Sequence, residues 1–295
     1  MLITVFTPLY NRENSIAAVY NSLLMQTCKD FEWLVINDGS TDSSATIMED
    51  IISKHDNSFP IRYQCRENHG LMYTLNEGVR MAEGTLFMRL DSDDQALPNA
   101  IELITDNYHY VKDKDDICAL VFRSVDYNKK PVGYHPFDEV QICDFALYRD
   151  KYKAKGDRSE VMKTEIFKKY PFPIIDGEKF CPEGLIWNRI ASDYKAIYMI
   201  SPIYQKGAPD DSITADVYNY LKRNSKGTTL YYREIVSNKK FCFKYRLLNA
   251  IKFYRYVFFS GESLFTRIPL TYIVLGMPLG ILVVLFDFIK NSKKI

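Results

Sequence analysis

Along the first part of the chain, short continuous apolar runs alternate with stretches of helical periodicity. Residues 2–6 (LITVF), 31–36 (FEWLVI), 61–65 (IRYQC) and 86–90 (LFMRL) read as strands. Between them, Ile16, Val19 or Tyr20, Leu23 and Leu24 share one helical face. Ile47, Ile51 and Ile52 share another, and residues 71–82 form a third helix stopped by Gly84. The mostly apolar run 86–90 suits a buried strand. Strand and helix in unbroken alternation predict an α/β fold with a mostly parallel sheet flanked by helices. Further on, residues 96–111 read as a helix after Pro98, with Ile101, Ile104 and Tyr108 on one face. Residues 116–122 read as a buried strand, and Leu185, Ile186, Trp187 and Ile190 as one face of a helix led by Glu183. Residues 123–158 are irregular, with short apolar runs such as 141–147.

The pattern changes after about residue 216. Residues 241–259 mix Lys244, Arg246, Lys252 and Arg255 with Leu247, Leu248, Ile251, Tyr254 and Phe258. This is the basic amphipathic type that lies on an anionic membrane surface. Residues 268–286 carry no charge and, at ~1.5 Å per residue, would span roughly 28 Å as a helix. Pro269, Gly276, Pro278 and Gly280 interrupt the run. A short spanning helix, a re-entrant pair and an interfacial anchor all fit, as does a helix packed on the catalytic domain or a second subunit. The expected division is 1–215 for the catalytic domain (1–100 and 101–215 as its halves) and 216–295 for a helical, membrane-associated extension.

Composition narrows the function classes. The chain has 295 residues, 47% hydrophobic, with a net charge of +1, so nothing in its charge points to nucleic acid. Its six cysteines are scattered without a C-x-x-C pair, which disfavours zinc and suits reduced thiols. Met1 leads directly into a strand, so the catalytic part is expected on the cytoplasmic side. Neither G-x-G-x-x-G nor G-x-x-x-x-G-K-[ST] occurs, which disfavours a dinucleotide-binding dehydrogenase and a P-loop phosphotransferase.

The candidate chemistry lies in three loops, 7–11, 37–42 and 91–94, each following a strand. In a parallel sheet such loops converge on one edge, where ligands bind. Asp91, Asp93 and Asp94 crowd the last of them. A hard divalent cation, Mn²⁺ or Mg²⁺, carrying a diphosphate would relieve their repulsion; a solvated acidic turn is the plain alternative. A calcium loop does not fit, because Gln95 and Ala96 stand where an Asp or Asn and the required Gly belong.

The stretches TPLYNRENSIAAVYNSLLMQTCKDFEWLVINDGSTD, ENHG and LNEGVRMAEGTLFMRLDSDD, in that order, resemble the nucleotide-binding half of the family 2 glycosyltransferases of the GT-A fold. The resemblance runs from about residue 2 to 100. It implies that Thr7, Pro8 and Tyr10 line the nucleobase pocket and that Asp38 hydrogen-bonds the base, usually uracil, with Asn37 replacing the first Asp of the family's pair. It implies Asp91 and Asp93 as the metal-binding D-x-D pair, with Asp91 and Ser92 at the nucleotide-sugar. Asn68 and Gly70 match a loop near the diphosphate, or simply form a tight turn. Glu183, with Trp187 and Arg189 beyond it, fits the family's general base, although Pro182 replaces a second acid; a first-turn Glu favoured by the helix dipole is the plain reading.

The resemblance therefore implies a metal-dependent inverting glycosyltransferase, hexosyl or N-acetylhexosaminyl in type. It would move a sugar from a nucleotide diphosphate donor, a UDP-sugar, to a hydroxyl of a glycan or lipid-linked acceptor in surface polysaccharide synthesis. Its expected place is the cytoplasmic face of the cell membrane. Alternatives are a sugar-nucleotide pyrophosphorylase, whose Gly-rich N-terminal loop with Arg and Lys is missing, and a non-catalytic glycan-binding or scaffold protein of the same fold.

Overall fold

A computed structural model describes residues 1–207, 217–265 and 267–292. The expected domain boundary at 215/216 lies outside the described residues. Four strands, β1 (Ile3–Leu9), β2 (Phe31–Asp38), β3 (Ile61–Arg66) and β4 (Leu86–Arg89), pair in the order β3-β2-β1-β4, all parallel. Helices α1 (Ile16–Leu24), α2 (Ser44–Lys54) and α3 (Leu71–Met81) connect them as crossovers. Both faces are covered, which explains the unbroken apolar runs. Phe6 and Phe87 point into one core with Leu75 and Val79 of α3; Val5 and Met88 point into the other with Val19 and Leu23 of α1. Gly78 lets α3 close on β1, since a Cβ there would stand 2.5 Å from the Phe6 ring.

Beyond β4 the sheet becomes mixed. β5 (Gln95–Ala96) leads to α4 (Ala100–Asp106), which Asn107 ends; one 3₁₀ turn at Tyr108–Tyr110 follows. The helix read over 96–111 is thus three pieces. β6 (Ile117–Val125), β7 (Gln141–Cys143), β8 (Ser159–Lys163) and β9 (Lys195–Gln205) complete nine strands in the order β3-β2-β1-β4-β8-β6-β9-β5, with β7 beside β9. β8 runs antiparallel to both neighbours, with Met88 opposite Val161 on one side and Leu120 opposite Val161 on the other. Its start therefore lies at the edge where β4 ends. Short helices α5 (Phe145–Asp150), α6 (Thr164–Phe167) and α7 (Gly184–Ile190) pack beneath this half.

The C-terminal helices are α8 (Val217–Arg223), α9 (Ser225–Ser237), α10 (Phe243–Ser260) and α11 (Leu270–Ser292). α9 belongs to the catalytic core: Ile235 packs in the same cluster as Leu185 and Ile186 of α7, and Glu234 holds Arg189 at 2.7 and 3.0 Å. The uncharged stretch is one continuous helix, not a re-entrant pair. Pro278 lies within it, and Gly276 and Gly280 bring it against Ala250 and Tyr254 of α10. Asp287 closes the contact with Arg255 at 2.7 and 2.9 Å. The opposite face is open, with Leu270, Val274, Leu282, Leu285, Phe286 and Ile289 all exposed. α11 is long and apolar enough to cross a membrane by length and composition, with a mean hydropathy of 2.1 over Leu270–Asp287.

Candidate active site

β1, β2 and β4 end at one sheet edge, so the three loops chosen for their residue types do converge. At this edge the individual side chains have distinct partners. The hydroxyl of Thr7 is fully buried and accepts the indole N–H of Trp33 at 3.0 Å. A buried N–H needs an acceptor, and this hydroxyl supplies it. Pro8 is buried as well, whereas Tyr10 is 48% exposed and presents its ring at the edge. Asp38, the expected base reader, is 4% exposed. It accepts the N–H groups of His69 (3.0 Å) and Gly70 (2.7 Å) and pairs with Arg66 at 3.2 Å. Its carboxylate thus fixes the 66–70 loop, and Asn68 adds to this by donating to the Asp38 carbonyl at 2.7 Å. Gly70 takes φ +90°, and a Cβ there would meet Lys179 at 2.6 Å. Both features fit a tight turn before α3. Ser92 is buried, and its carbonyl accepts the Ser15 hydroxyl at 2.7 Å.

The acids after β4 stand in a different environment. Asp91 and Asp94 line a cavity of about 850 Å³, and Glu183, at the start of α7, lines it from the other half of the domain. Arg89, the last residue of β4, joins them: its guanidinium donates to Asp91 and to Glu183, each at 2.5 Å. Burial opposes the charge of Arg89, but Asp91 and Glu183 outweigh it and raise its pKa well above the ordinary value. Asp93 does not line the cavity; it faces Arg12 at 3.6 Å. Burial and the charge of Asp91 raise the pKa of Asp93, with Arg12 opposing. The same two causes push Asp94 up to about 7, although Gly207 donates its N–H to it at 3.0 Å. Trp187 stacks between Phe145 and Phe167, at 5.5 and 5.6 Å, and so holds α7 in place beneath the cavity. Glu178, near Glu183 in sequence, is occupied by the N–H groups of Lys226 and Gly227 at the start of α9.

The profile described as "Glycosyl transferase family 2" matches residues 4–169, more than half of the chain. The chain belongs to glycosyl transferase family 2. Among its relatives, an uncharacterized glycosyltransferase of Haemophilus influenzae is 26% identical over 203 residues, 64% of this chain and 60% of that protein. Chondroitin synthase of Pasteurella multocida is 33% identical over 118 residues, 40% of this chain but 12% of that enzyme. The chain spans no more than about three fifths of the length of the first curated relatives it matches. Among solved structures, S. aureus TarS 1-349 in complex with UDP-GlcNAc superposes with a TM-score of 0.63 at 19% identity, over 88% of this chain and 73% of that one. The mannosyltransferase PcManGT from Pyrobaculum calidifontis, in complex with GDP-Man and Mn²⁺, gives 0.54 at 18% identity, over 85% and 69%. These likenesses establish the GT-A-like α/β fold.

The acids of this family 2 chain fit a divalent ion that is shared with its substrate. Among the described residues no group of three His, Cys, Asp or Glu side chains is set to hold a metal alone. Burial and the charge of Asp91 raise the pKa of both Asp93 and Asp94, and Arg12 stands 3.6 Å from Asp93 as an opposing charge. Magnesium-like ions bind through one or two carboxylates plus substrate phosphates, and Asp91 with Asp93 or Asp94 supplies that much. Sequence reading named Asp94 among the crowded acids without a role of its own, and it missed Arg12 and Arg89. Asp94 was legible as the third acid of its run, and Arg89 as a charge breaking an otherwise apolar strand.

Proposed function

We propose that the chain transfers a sugar, with inversion, from a nucleotide diphosphate donor, a UDP-sugar, to a hydroxyl of a glycan or lipid-linked acceptor in surface polysaccharide synthesis. One observation carries the reading: Asp91 and Glu183, from opposite halves of the domain, face one cavity and share the Arg89 guanidinium. The donor's leaving group belongs at the β4 end. Glu183 is placed to take the acceptor's proton as the acceptor oxygen bonds to the sugar's anomeric carbon. The bond from that carbon to the diphosphate breaks, and the diphosphate leaves with the electron pair. Arg89 fixes the direction of both carboxylates. A divalent ion held by Asp91 and Asp93, with Asp94 beside them, would neutralise the departing diphosphate. The complexes of TarS with UDP-GlcNAc and of PcManGT with GDP-Man and Mn²⁺ support the donor class and the ion.

Glu183→Gln keeps the shape and removes the basicity. It should bind UDP normally and lose transfer by ~10²–10⁴-fold, the range for general-base catalysis. Transfer within a few-fold of wild type would assign the base elsewhere. Metal-dependent turnover of UDP-sugars in wild type also separates this reading from a non-catalytic glycan-binding or scaffold protein.

We also propose that the protein works at the cytoplasmic face of the membrane, with the open face of α11 in the lipid interface. The exposed Leu and Phe side chains of α11 and the exposed Lys244 and Lys252 of α10 support this. Replacing Leu282, Leu285 and Phe286 together by Ser should move the protein from anionic vesicles to solution without lowering its melting temperature. Unchanged partition would refute lipid contact by this face.

A further inference from the structure

The cavity wall carries charge of both signs. Asp91, Asp94 and Glu183 supply its acids. Beside them stands the segment before β8, residues 149–158, which reaches this edge because β8 runs against β4. Arg149, Lys153, Lys155 and Arg158 of that segment face the cavity, with Lys206 beside them. Lys153 is paired with Asp150, and Lys206 with Asp157. Arg149 and Lys155 form no ion pair among the described residues. Arg149 donates only to the carbonyls of Ala154 and Gly156, at 3.5 and 3.1 Å. Arg158 is 7% exposed, and its guanidinium bonds the Tyr148 hydroxyl and the carbonyls of Val132, Tyr134, Lys155 and Asp157, all neutral partners. Positive charge so held is left without a counter-charge. The remaining acid on this wall, Glu160, compensates little: burial pushes its carboxyl up to about 7, with Arg149 opposing and Glu183 adding. Two hydroxyls on the same wall, those of Tyr198 and Ser159, are buried without a hydrogen-bond partner among the described residues. Such groups bond to whatever polar occupant the cavity holds.

We propose that this basic wall of the cavity binds an acceptor that carries a negative charge, read by Arg149 and Lys155. The anion is a carboxylate or phosphate, on the acceptor saccharide itself or at its link to a lipid carrier. The proposal rests on the transfer reading above, since it takes Glu183 as the group at the reacting hydroxyl. An acceptor so held has its anion on the 149–158 segment and its hydroxyl toward Glu183.

The test is acceptor binding by calorimetry on the full chain saturated with UDP and Mn²⁺. It needs no turnover, so a failure of the transfer reading leaves it intact. Three short acceptors matched in length are compared: a neutral glycoside, a uronate-bearing glycoside and a glycosyl phosphate. One charge-assisted contact corresponds to roughly 10- to 100-fold in affinity, so an anionic acceptor should bind tighter than the neutral one by that factor. Which anion gains distinguishes an acidic sugar from a phosphate link. Lys155→Gln should remove about tenfold of that advantage. Arg149→Gln should remove as much, and Arg149→Lys should restore part of it. Arg149 also tethers its own loop, so Lys155→Gln, at an exposed side chain without a tether, decides if the Arg149 variant is unstable. Equal affinity of wild type for all three acceptors overturns the proposal. So does a loss of UDP affinity in the variants with the acceptor ratio unchanged, because the charges would then serve the donor diphosphate.

Discussion

Two carboxylate loops stand at the same edge of the same parallel sheet, one after β2 and one after β4, and they have opposite fates. Asp38 is surrounded by donors: two backbone N–H groups and Arg66. The acids after β4 have too few, and burial with mutual repulsion raises the pKa of Asp93 and of Asp94. A carboxylate saturated by its own protein is a structural part. One left short of positive charge is where a cation or a polar ligand gains most by binding. Residue type and strand-end position alone do not separate the two; the donors that the neighbouring loops bring do.

The largest effect should come from the β4 loop. Asp93→Asn should cost about 10²-fold or more in transfer, the loss typical of removing one group that stabilises transition-state charge. Its melting temperature should hold or rise, because the repulsion between Asp93 and Asp91 is relieved. A variant that melts early with activity intact would make Asp93 structural like Asp38 and end the contrast. Asp38→Ala should show the reverse. Breaking a buried charge pair and leaving two N–H groups unsatisfied should cost about 3–5 kcal/mol of stability. UDP affinity should fall with it as the 66–70 loop loosens. A melting temperature within about 1 °C of wild type would show that those bonds hold nothing.

The smallest effect is in pH dependence. Asp94 has its pKa raised in the folded state to about 7, from an ordinary 3.8. The folded protein then holds that proton more tightly than the unfolded chain. Its contribution is favourable below about pH 4 and is lost as pH rises through 7. Metal-free protein should therefore lose stability between these limits, and Asp94→Asn should flatten that slope. Added Mn²⁺ should raise the melting temperature more at pH 8 than at pH 5.5, since only ionised carboxylates bind it. An equal gain at both values would place the ion away from these acids.

The first strands and their helices were legible because β1, β2 and β4 are apolar and buried, and the edge strand β3 is bracketed by clear helices. The second half was not. β8 (SEVMK) is short and carries Glu160 toward the cavity, so it shows no continuous apolar run. β9 contains Ser201 and Pro202, and its register with β6 shifts between Val121 and Arg123. Both exist through long-range pairing that no local pattern announces. The same holds within the site. Asp91 and Asp93 could be chosen by type and position after a strand, and Glu183 through the family resemblance. That Thr7 would bond Trp33, and that Arg89 would join Asp91 to Glu183, depends on partners 26 and 94 positions away.

The reversed direction of β8 has a consequence for how such a site can change. The cavity rim is made, side by side, where a forward strand finishes and where a backward strand begins. The 149–158 segment enters β8 from outside the hydrogen-bonded ladder, so its length and charge can vary while Val161 stays opposite Met88 and Leu120. The acids after β4 are thereby tied to a fixed sheet edge, while an exposed position of the neighbouring segment, such as Lys155, is free to change without re-registering a strand.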